Sequence, residues 1–505
     1  MKGKVWLVGA GPGDRGLLTV KGKAVLEQAQ AVLCDHLVGD GIRSWIPPQA
    51  EVIDAGKQAG THTLPQEDIN RLLLEKAQRG LRVVRLKGGD PFLFGRGGEE
   101  LELLRQHGIP FEIVPGVSSA IAAPAYAGIP VTHRQTSSSL YIVTGHRQAD
   151  PSPGLDFPTL ATLCRQGTTI VFLMGMASLP EICRGLLAAG VPENLPAAII
   201  QNGTTARQKT MVSTVSRLPD HAREQGFSTP AVWLVGDVCS YGERFSWVEA
   251  LPLHRMRIWI TRPKNRASSL SDPLERLGAQ VLELPSIQTQ AIFPNPLLEA
   301  AIHSLADTHW IAWTSPTGVD LFFDALLQAG RDGRALSHLR FGVIGPATRD
   351  TLSKRGFLAD VIPSRFYAED LGYALARAMQ PGERLLLPRA KEGSPLLTQI
   401  LEQAGISFCE VPLYETLCPS SRPSALLPGD LAVFTSVSTV KGFVQLLQGE
   451  EFRHILAVCI GEQTAAEARR QGFPVQVAAK PTIESLIETI AAIAAGRKEG
   501  NDAGI

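Results

Sequence analysis

The stretch RLKGGDPFLFGRGGEE, residues 85–100, sets five glycines among six charged residues, with Phe92, Leu93 and Phe94 at its centre. It continues a strand-like run, RVVRLK (82–87). Gly88 and Gly89 let the backbone take positive φ and come close to a ligand. Asp90-Pro91 favours a turn, and the apolar trio could wall a pocket. A tight strand-to-helix connection with ordinary core phenylalanines fits the same residues. A second glycine loop, Gly9-Ala10-Gly11-Pro12-Gly13-Asp14, also follows a strand candidate, VWLVGA (5–10). Read from Gly11, the string GPGDRG matches the GxGxxG of dinucleotide-binding loops, and Asp35, after the next apolar run, is compatible with ribose binding. Pro12, however, removes one of the N–H groups that such a loop turns toward a pyrophosphate. The chemistry open to both loops is the gripping of a small ligand by main-chain groups, at the strand ends where open α/β sheets bind.

The elements that must position these loops follow a regular order. AVLCDHLV (31–38), FEIVP (111–115), LYIVTG (140–145), TIVFLMG (169–175) and PAVWLVGDV (230–238) read as further strands, with helical segments between most of them. Alternation of this kind implies an α/β architecture with mostly parallel sheets. A new strand, RIWITRP (257–263), opens a second half after SWVEALPLHRM. The expected division is therefore a first region 1–245, a linker 246–256, a second region 257–496 and a disordered tail 497–505. Within the second half WTSPTGVDLFFDALLQAG (from Trp313) is echoed by FTSVSTVKGFVQLLQ (from Phe434), and VIGPATRDTLSKRGF (from Val343) by CIGEQTAAEARRQGF (from Cys459). Two echoes at nearly one spacing imply two similar α/β subdomains, a pair that often binds its ligand in a cleft; chance likeness of strand–turn–helix units is the alternative.

At 505 residues the chain is too long for one core. With 44% apolar and 19% charged residues and a formal net charge of zero, it reads as globular and gives no sign of bulk nucleic-acid binding. Its seven cysteines are dispersed and form no CxxC pair, which speaks for a reducing compartment and against a disulfide framework or zinc site. The N-terminus is too short in apolar residues for a signal peptide, and no run reaches the roughly 18 apolar residues that span a bilayer. The expectation is a cytoplasmic protein without a metal.

VGAGPGD, AVLCDHLV, DAGK (54–57), VVRLKGGDPFLFGRGGEE, VPGVSSAIAAPAYAGIPVTHR, VTGH, VFLMGM and QNGTTARQ occur in that order over residues 5–208. Together they resemble the tetrapyrrole methylases, and within them the uroporphyrinogen-III C-methyltransferases, which use S-adenosylmethionine. The resemblance implies a fold of two α/β subdomains holding that cofactor between them. It implies cofactor contacts at Pro12, Gly88, Gly89, Asp90, Leu93, Ser118, Ser119, Met174 and Gly203. It also implies Asp35 as proton acceptor and Lys57 as proton donor; from the residues alone, a helix cap and a solvated lysine remain open. His36 stands where the family commonly has Arg, which replaces a fixed, bidentate charge by a titratable one toward a substrate carboxylate. Thr132-His133-Arg134 would add substrate contacts or make a structural turn.

ITRP (260–263), WTSPTGV, VIGPAT, LPRAKEGSPLL (387–397), VPLYET (411–416), FTSVSTV and CIGEQTA resemble uroporphyrinogen-III synthase, a bilobal α/β enzyme that closes hydroxymethylbilane. That substrate carries eight carboxylates, for which hydroxyl-bearing turns at helix N-termini are natural sites. Thr314, Ser315, Thr348, Thr435, Ser436 and Thr464 would face it, with Arg262 and Arg389 adding charge. Tyr414 is the candidate proton donor, with a half-buried structural role as its alternative. Together the two resemblances imply a bifunctional enzyme. The second half makes uroporphyrinogen III. The first methylates it at C2 and C7 to precorrin-2, for sirohaem or cobalamin. The enzyme would be a homodimer through the methylase half. The rivals are a methylase acting on another acceptor, a dinucleotide-dependent oxidoreductase, and a methylase joined to a non-catalytic tetrapyrrole sensor.

Overall fold

The computed structural model describes residues 2–56, 64–145, 154–262, 264–417, 426–447 and 452–502. Four five-stranded sheets carry the chain. The first consists of β1 (Lys4–Gly9), β2 (Ala31–Cys34), β3 (Glu51–Asp54), β4 (Arg82–Lys87) and β5 (Phe111–Val114), in the order β3-β2-β4-β1-β5 and parallel throughout. Alternate residues of β1 feed opposite cores. Val5 and Leu7 pack with Leu73, Ala77 and Leu104 on one face, and Val8 packs with Leu26, Ile42 and Leu86 on the other. Helices cover both faces, as a parallel sheet requires.

The second sheet, β6 (Leu140–Thr144), β7 (Thr169–Leu173), β8 (Pro196–Gln201), β9 (Lys209–Thr214) and β10 (Ala231–Val235), runs β6-β7-β10-β8-β9. Here the mostly parallel expectation fails: only β6–β7 is parallel, and β7–β10, β10–β8 and β8–β9 are antiparallel. The reason lies in the connection. The short loop 202–208 returns β8 directly into β9, where a parallel partner would need a crossover of a dozen residues. Phe172 and Trp233 face each other across β7–β10 with rings stacked 3.8 Å apart, pinning that register.

The second half begins with β11 (Arg257–Ile260) and β12 (Gln280–Glu283). The chain then leaves to build another sheet from β13 (Gln288–Ala291), β14 (Trp310–Trp313), β15 (Arg340–Val343), β16 (Arg384–Ala390) and β17 (Ser407–Leu417), in the order β13-β17-β16-β14-β15. It returns as β18 (Leu431–Phe434), β19 (Leu456–Cys459) and β20 (Val475–Val477), which complete the sheet β12-β11-β18-β19-β20. The echoed segments are β14 with its following helix against β18 with its own, and β15 against β19, so both lobes contain the same parallel unit. The lobes are nested rather than tandem: Pro285–Pro419 is one compact unit, and Met1–Leu284 with Ser420–Ile505 is the other.

The last helix spans Ile483–Asp502, so the expected unstructured tail from residue 497 is helical as far as Asp502. Two causes are visible. The preceding run, AAIAA, is strongly helix-forming, and Arg497 Nη1 donates to the Gly429 carbonyl at 2.8 Å.

Within the larger unit, the first half and the β11–β12 edge are tied by ion pairs of opposite polarity. Arg15 meets Glu275 through two nitrogens (2.5 and 2.9 Å) and Glu283 at 2.9 Å, with Asp272 at 3.6 Å. Arg257 lies 4.0 Å from Asp40 and 3.5 Å from Asp430. Burial pushes the Glu275 carboxyl up to about 7, against the pull of Arg15 and with the help of Asp14 and Glu283. Repulsion from Asp14 and Glu283 adds to the burial cost of ionising Glu275. A carboxyl whose folded pKa exceeds its unfolded one binds protons more tightly in the fold. Its stabilising contribution is complete below the unfolded value and is lost as pH rises through about 7. Wild-type stability should therefore fall between pH 5 and pH 8 relative to Glu275→Gln, measured by chemical denaturation across that range; parallel pH curves would contradict this.

Candidate functional site

Three loops at the carboxyl ends of β1, β4 and β5 meet backbone to backbone. Gly11 N–H donates to Gly89 O (3.1 Å) and Gly89 N–H to Gly11 O (2.8 Å). A Cβ placed on Gly116 would sit 2.2 Å from Gly89 O, and one on Gly9 would sit 2.6 Å from the Gly116 Cα. No other residue type allows this approach. Gly89 has φ +67°, yet a Cβ there would meet nothing within 4 Å. The loops are thus closed on one side and open on the other, a cradle whose exposed edge is main chain.

Asp90 holds the cradle together. Its Oδ1 accepts from Phe92 N (2.8 Å) and Leu93 N (3.1 Å), and its Oδ2 accepts from Gly116 N (3.0 Å). An expected ligand contact is thus, in the structure, the clamp between two loops. Leu93 is half-buried against the second sheet's core, whereas Phe92, Phe94, Leu37 and Met174 are exposed apolar side chains. Ser118 caps the helix Ser119–Tyr126, its Oγ accepting from Ala120 N at 3.2 Å. Gly203 packs against that helix, where an added Cβ would lie 2.5 Å from the Ala123 Cβ. Pro12 lies between Gly11 and Gly13, both at positive φ.

Five of the six non-glycine residues with positive φ among those described are Phe94, Arg96, Met174, Asn202 and Thr204. Phe94 and Arg96 lie in the loop after β4, Met174 in the loop after β7, and Asn202 and Thr204 in the loop after β8, so backbone strain gathers at strand ends. Contacts missed by the sequence reading fix the loops Gly11–Asp14 and 202–208 here. Asp14 N–H donates to Thr204 Oγ1 (3.2 Å), Tyr126 OH to Asp14 Oδ2 (2.7 Å), and Thr204 N–H to Gln208 Oε1 (2.9 Å). Beneath the Gly88-Gly89 turn, buried Glu100 accepts from Arg85 Nε (3.0 Å) and Lys87 Nζ (2.9 Å). Burial, then Arg85, draws the Lys87 pKa down, while Glu100 opposes the shift. The signal for this cluster was present: Arg85 and Lys87 stand among the apolar residues of β4.

Asp35 follows β2, half-buried; its Oδ1 accepts from His36 N (2.8 Å) and its carbonyl accepts from Arg43 (2.7 Å). It is not a helix cap, because Gly39 holds that place before Asp40–Arg43. The Asp35–Leu37 segment adjoins the cradle: a Cβ on Gly88 would lie 2.8 Å from the Leu37 Cβ, and one on Gly56 would lie 2.3 Å from the His36 Cβ. Lys57, the next residue, falls outside the described residues. His36 is exposed. Thr132-His133-Arg134 enters a turn closed by reciprocal His133–Ser137 backbone bonds of 2.8 Å, with the His133 ring on Tyr241 at 4.7 Å, so its visible contacts are structural.

In the unit Pro285–Pro419, Ser315 caps the helix after β14, its Oγ accepting from Gly318 N (3.0 Å) and pairing with Tyr414 OH at 2.7 Å. Thr314 precedes it, half-buried. Thr348 is buried in the helix after β15. Arg389 is buried and committed to Glu410 (2.8 Å) and Ser394 O (2.9 Å). In the other unit, Thr435 and Ser436 form the matching turn after β18, with Ser436 Oγ accepting from Thr439 N at 3.3 Å. Thr464 is buried after β19, and Arg262 donates to Ser269 Oγ at 3.1 Å.

A dinucleotide fold turns its glycine loop straight into a helix. Here a 3-10 turn, Arg15–Leu17, intervenes, and the helix starts only at Val20. Among the described residues no helix is long and apolar enough to cross a membrane.

Residues 4–219 match the family model for tetrapyrrole (corrin/porphyrin) methylases, and residues 268–488 the model for uroporphyrinogen-III synthase HemD. The porphyrin biosynthesis protein HemD of Ruminiclostridium josui is 42% identical over 98% of this chain and 99% of its own length. A uroporphyrinogen-III C-methyltransferase of Bacillus subtilis is 38% identical over 71% of this chain and 73% of its own. A sirohaem synthase of Methylobacillus flagellatus is 46% identical over 50% of this chain, which spans 53% of that protein.

Removing the Asp90 carboxylate leaves three backbone donors without their acceptor. Asp90→Ala should cost about 2 kcal/mol or more, read as a fall of roughly 4–8 °C in the melting of the first half. An unchanged melting curve would show that the loops hold without this clamp.

Proposed function

The chain belongs to the family that joins a tetrapyrrole methylase to a uroporphyrinogen-III synthase, a pair of enzyme domains of tetrapyrrole biosynthesis, and from that premise we propose that it converts hydroxymethylbilane to precorrin-2. Residues 257–496 cyclise hydroxymethylbilane to uroporphyrinogen III. Residues 1–245 methylate that product at C2 and C7, with 246–256 as linker. The observation that carries this reading is the pair of matches on one chain, since the second domain makes what the first consumes.

S-adenosylmethionine supplies a methyl group already activated on sulfonium sulfur. The cradle fits such a group: its open edge is main chain at Gly88 and Gly89, and exposed Met174 and half-buried Leu93 offer apolar contact. Pro12, Ser118, Ser119 and Gly203 belong to the loops around it, and Asp90 acts by holding those loops. The protein's task is alignment, because positioning supplies most of what an activated methyl needs. Asp35, two residues before the Leu37 that adjoins Gly88, takes the proton that the macrocycle gives up once the methyl has added, and Lys57 returns one to the macrocycle. His36, with Thr132, His133 and Arg134, meets substrate carboxylates.

In the synthase domain, hydroxymethylbilane loses its hydroxyl as water and forms an azafulvene. Tyr414, hydrogen-bonded to Ser315, donates the proton to that leaving group. The capped turns at Thr314-Ser315 and Thr435-Ser436 bind carboxylates through hydroxyls and helix N-termini. Arg262, Thr348, Arg389 and Thr464 shape those turns from behind. The enzyme works in the cytoplasm, as a homodimer through the methylase half, and feeds sirohaem or cobalamin synthesis.

Hydroxymethylbilane supplied anaerobically should yield uroporphyrinogen III without the methyl donor and precorrin-2 with it. Only the type I isomer, from spontaneous closure, would refute the synthase assignment. Preformed uroporphyrinogen III left unmethylated would refute the methylase one. Tyr414→Phe should slow cyclisation by roughly a hundredfold or more, the usual worth of a general acid, while methylation of preformed uroporphyrinogen III stays unchanged. Cyclisation at the wild-type rate would remove Tyr414 from the mechanism.

A further inference from the structure

The loop Gly11–Asp14 borders the cradle, and the next residue, Arg15, is buried in the second half's carboxylates. The loop is intrinsically loose, with Gly11 at φ +75° and Gly13 at φ +155°. Its shape is fixed from outside at three points. The Gly89 backbone holds Gly11; Thr204 Oγ1 and Tyr126 hold Asp14; Glu275, Glu283 and Asp272 hold Arg15. The first two anchors belong to the methylase half. The third belongs to the edge β11–β12 and the helix Lys264–Arg276 before it. The Arg15 side chain is only 11% exposed, and its guanidinium lies over the Trp45 ring at 5.9 Å. Arg257, reaching back to Asp40, gives the junction a second point of attachment and resists pivoting about the first.

We propose that Arg15 is a positioning residue through which the synthase half holds the donor-binding loop of the methylase half in its binding shape. Donor occupancy and the docking of β11–β12 are then coupled, and the coupling acts in both directions, because linkage between binding equilibria is reciprocal. The physical cause is preorganisation. A loop of glycines must lose conformational freedom to grip a ligand, and the two-pronged Arg15–Glu275 contact has removed part of that freedom beforehand. A planar guanidinium suits this role better than an ammonium, because it meets a carboxylate through two fixed bonds. The inference rests on the reading of the cradle as the methyl-donor site.

The test titrates S-adenosylhomocysteine calorimetrically into the full-length chain and follows backbone hydrogen exchange at β12, Gln280–Glu283. Arg15→Gln, and separately the double variant Glu275→Gln/Glu283→Gln, should weaken binding by roughly fivefold or more, the lower end of usual coupling between sites. Arg15→Lys should recover part of the loss. In the wild type the probe should slow exchange in β12, and in Arg15→Gln that slowing should disappear. The glutamine pair is isosteric and lies outside the donor loop, so it decides the matter should Arg15→Gln fail to fold. Wild-type affinity in the glutamine pair, with the β12 response intact, would overturn the proposal. A wild type that takes up no probe would instead refute the donor-site reading, and the coupling with it.

Discussion

The close approach of Gly9, Gly89 and Gly116 is the constraint on which the first half depends. Backbone atoms occupy positions where any side chain would collide at 2.2–2.7 Å, so the three strand-end loops form one surface rather than three. The mutual Gly11–Gly89 hydrogen bonds and the three-way Asp90 clamp then satisfy donors that such tight packing would leave unpaired. The open side of Gly89 is what remains for a ligand. The loop 202–208, with Asn202 and Thr204 at positive φ, reaches the same region, and the Asp14–Thr204 bond holds it there.

The second half solves a different problem by repetition. A strand–turn–helix unit occurs twice in each lobe, and one turn in each carries hydroxyls, with Ser315 and Ser436 in equivalent cap positions. The stretch Pro285–Pro419 is inserted in sequence between β12 and β18, and β11 and β12 pair in one sheet with β18–β20. The hydroxyl turns are local devices and work without any charge of their own. Arg389, whose charge is spent on Glu410, therefore fits behind such a turn better than in front of it.

Much of this was legible in the residues. Apart from β3, EVID, which is too short and too acidic to stand out, the strands of the first sheet and the strand-end placement of both glycine loops follow from apolar runs and glycine spacing. So does the paired-lobe character of the second half, because periodicity and turn chemistry are local signals. The antiparallel second sheet was not legible: β9, KTMVST, is polar enough to pass for loop, and its partner is decided by the length of the turn at 202–208. Asp90 was found as a site residue, but its role as a clamp depends on Gly116, 26 residues away. Glu100 is buried against Arg85 and Lys87 only by the packing of its helix over β4, which no local pattern announces. Arg15 gave no signal, since its carboxylate partners lie more than 250 residues further on.

The glycine convergence, read as the methyl-donor cradle, stands or falls on ligand binding. The most direct test is equilibrium binding of S-adenosylhomocysteine to the wild type and to Gly89→Ala. This substitution puts one methyl group into the open side and strains one residue held at φ +67°. The account predicts one molecule bound per wild-type chain and binding abolished or greatly weakened in the variant, with cyclisation of hydroxymethylbilane retained. Equal affinity in both proteins would contradict it.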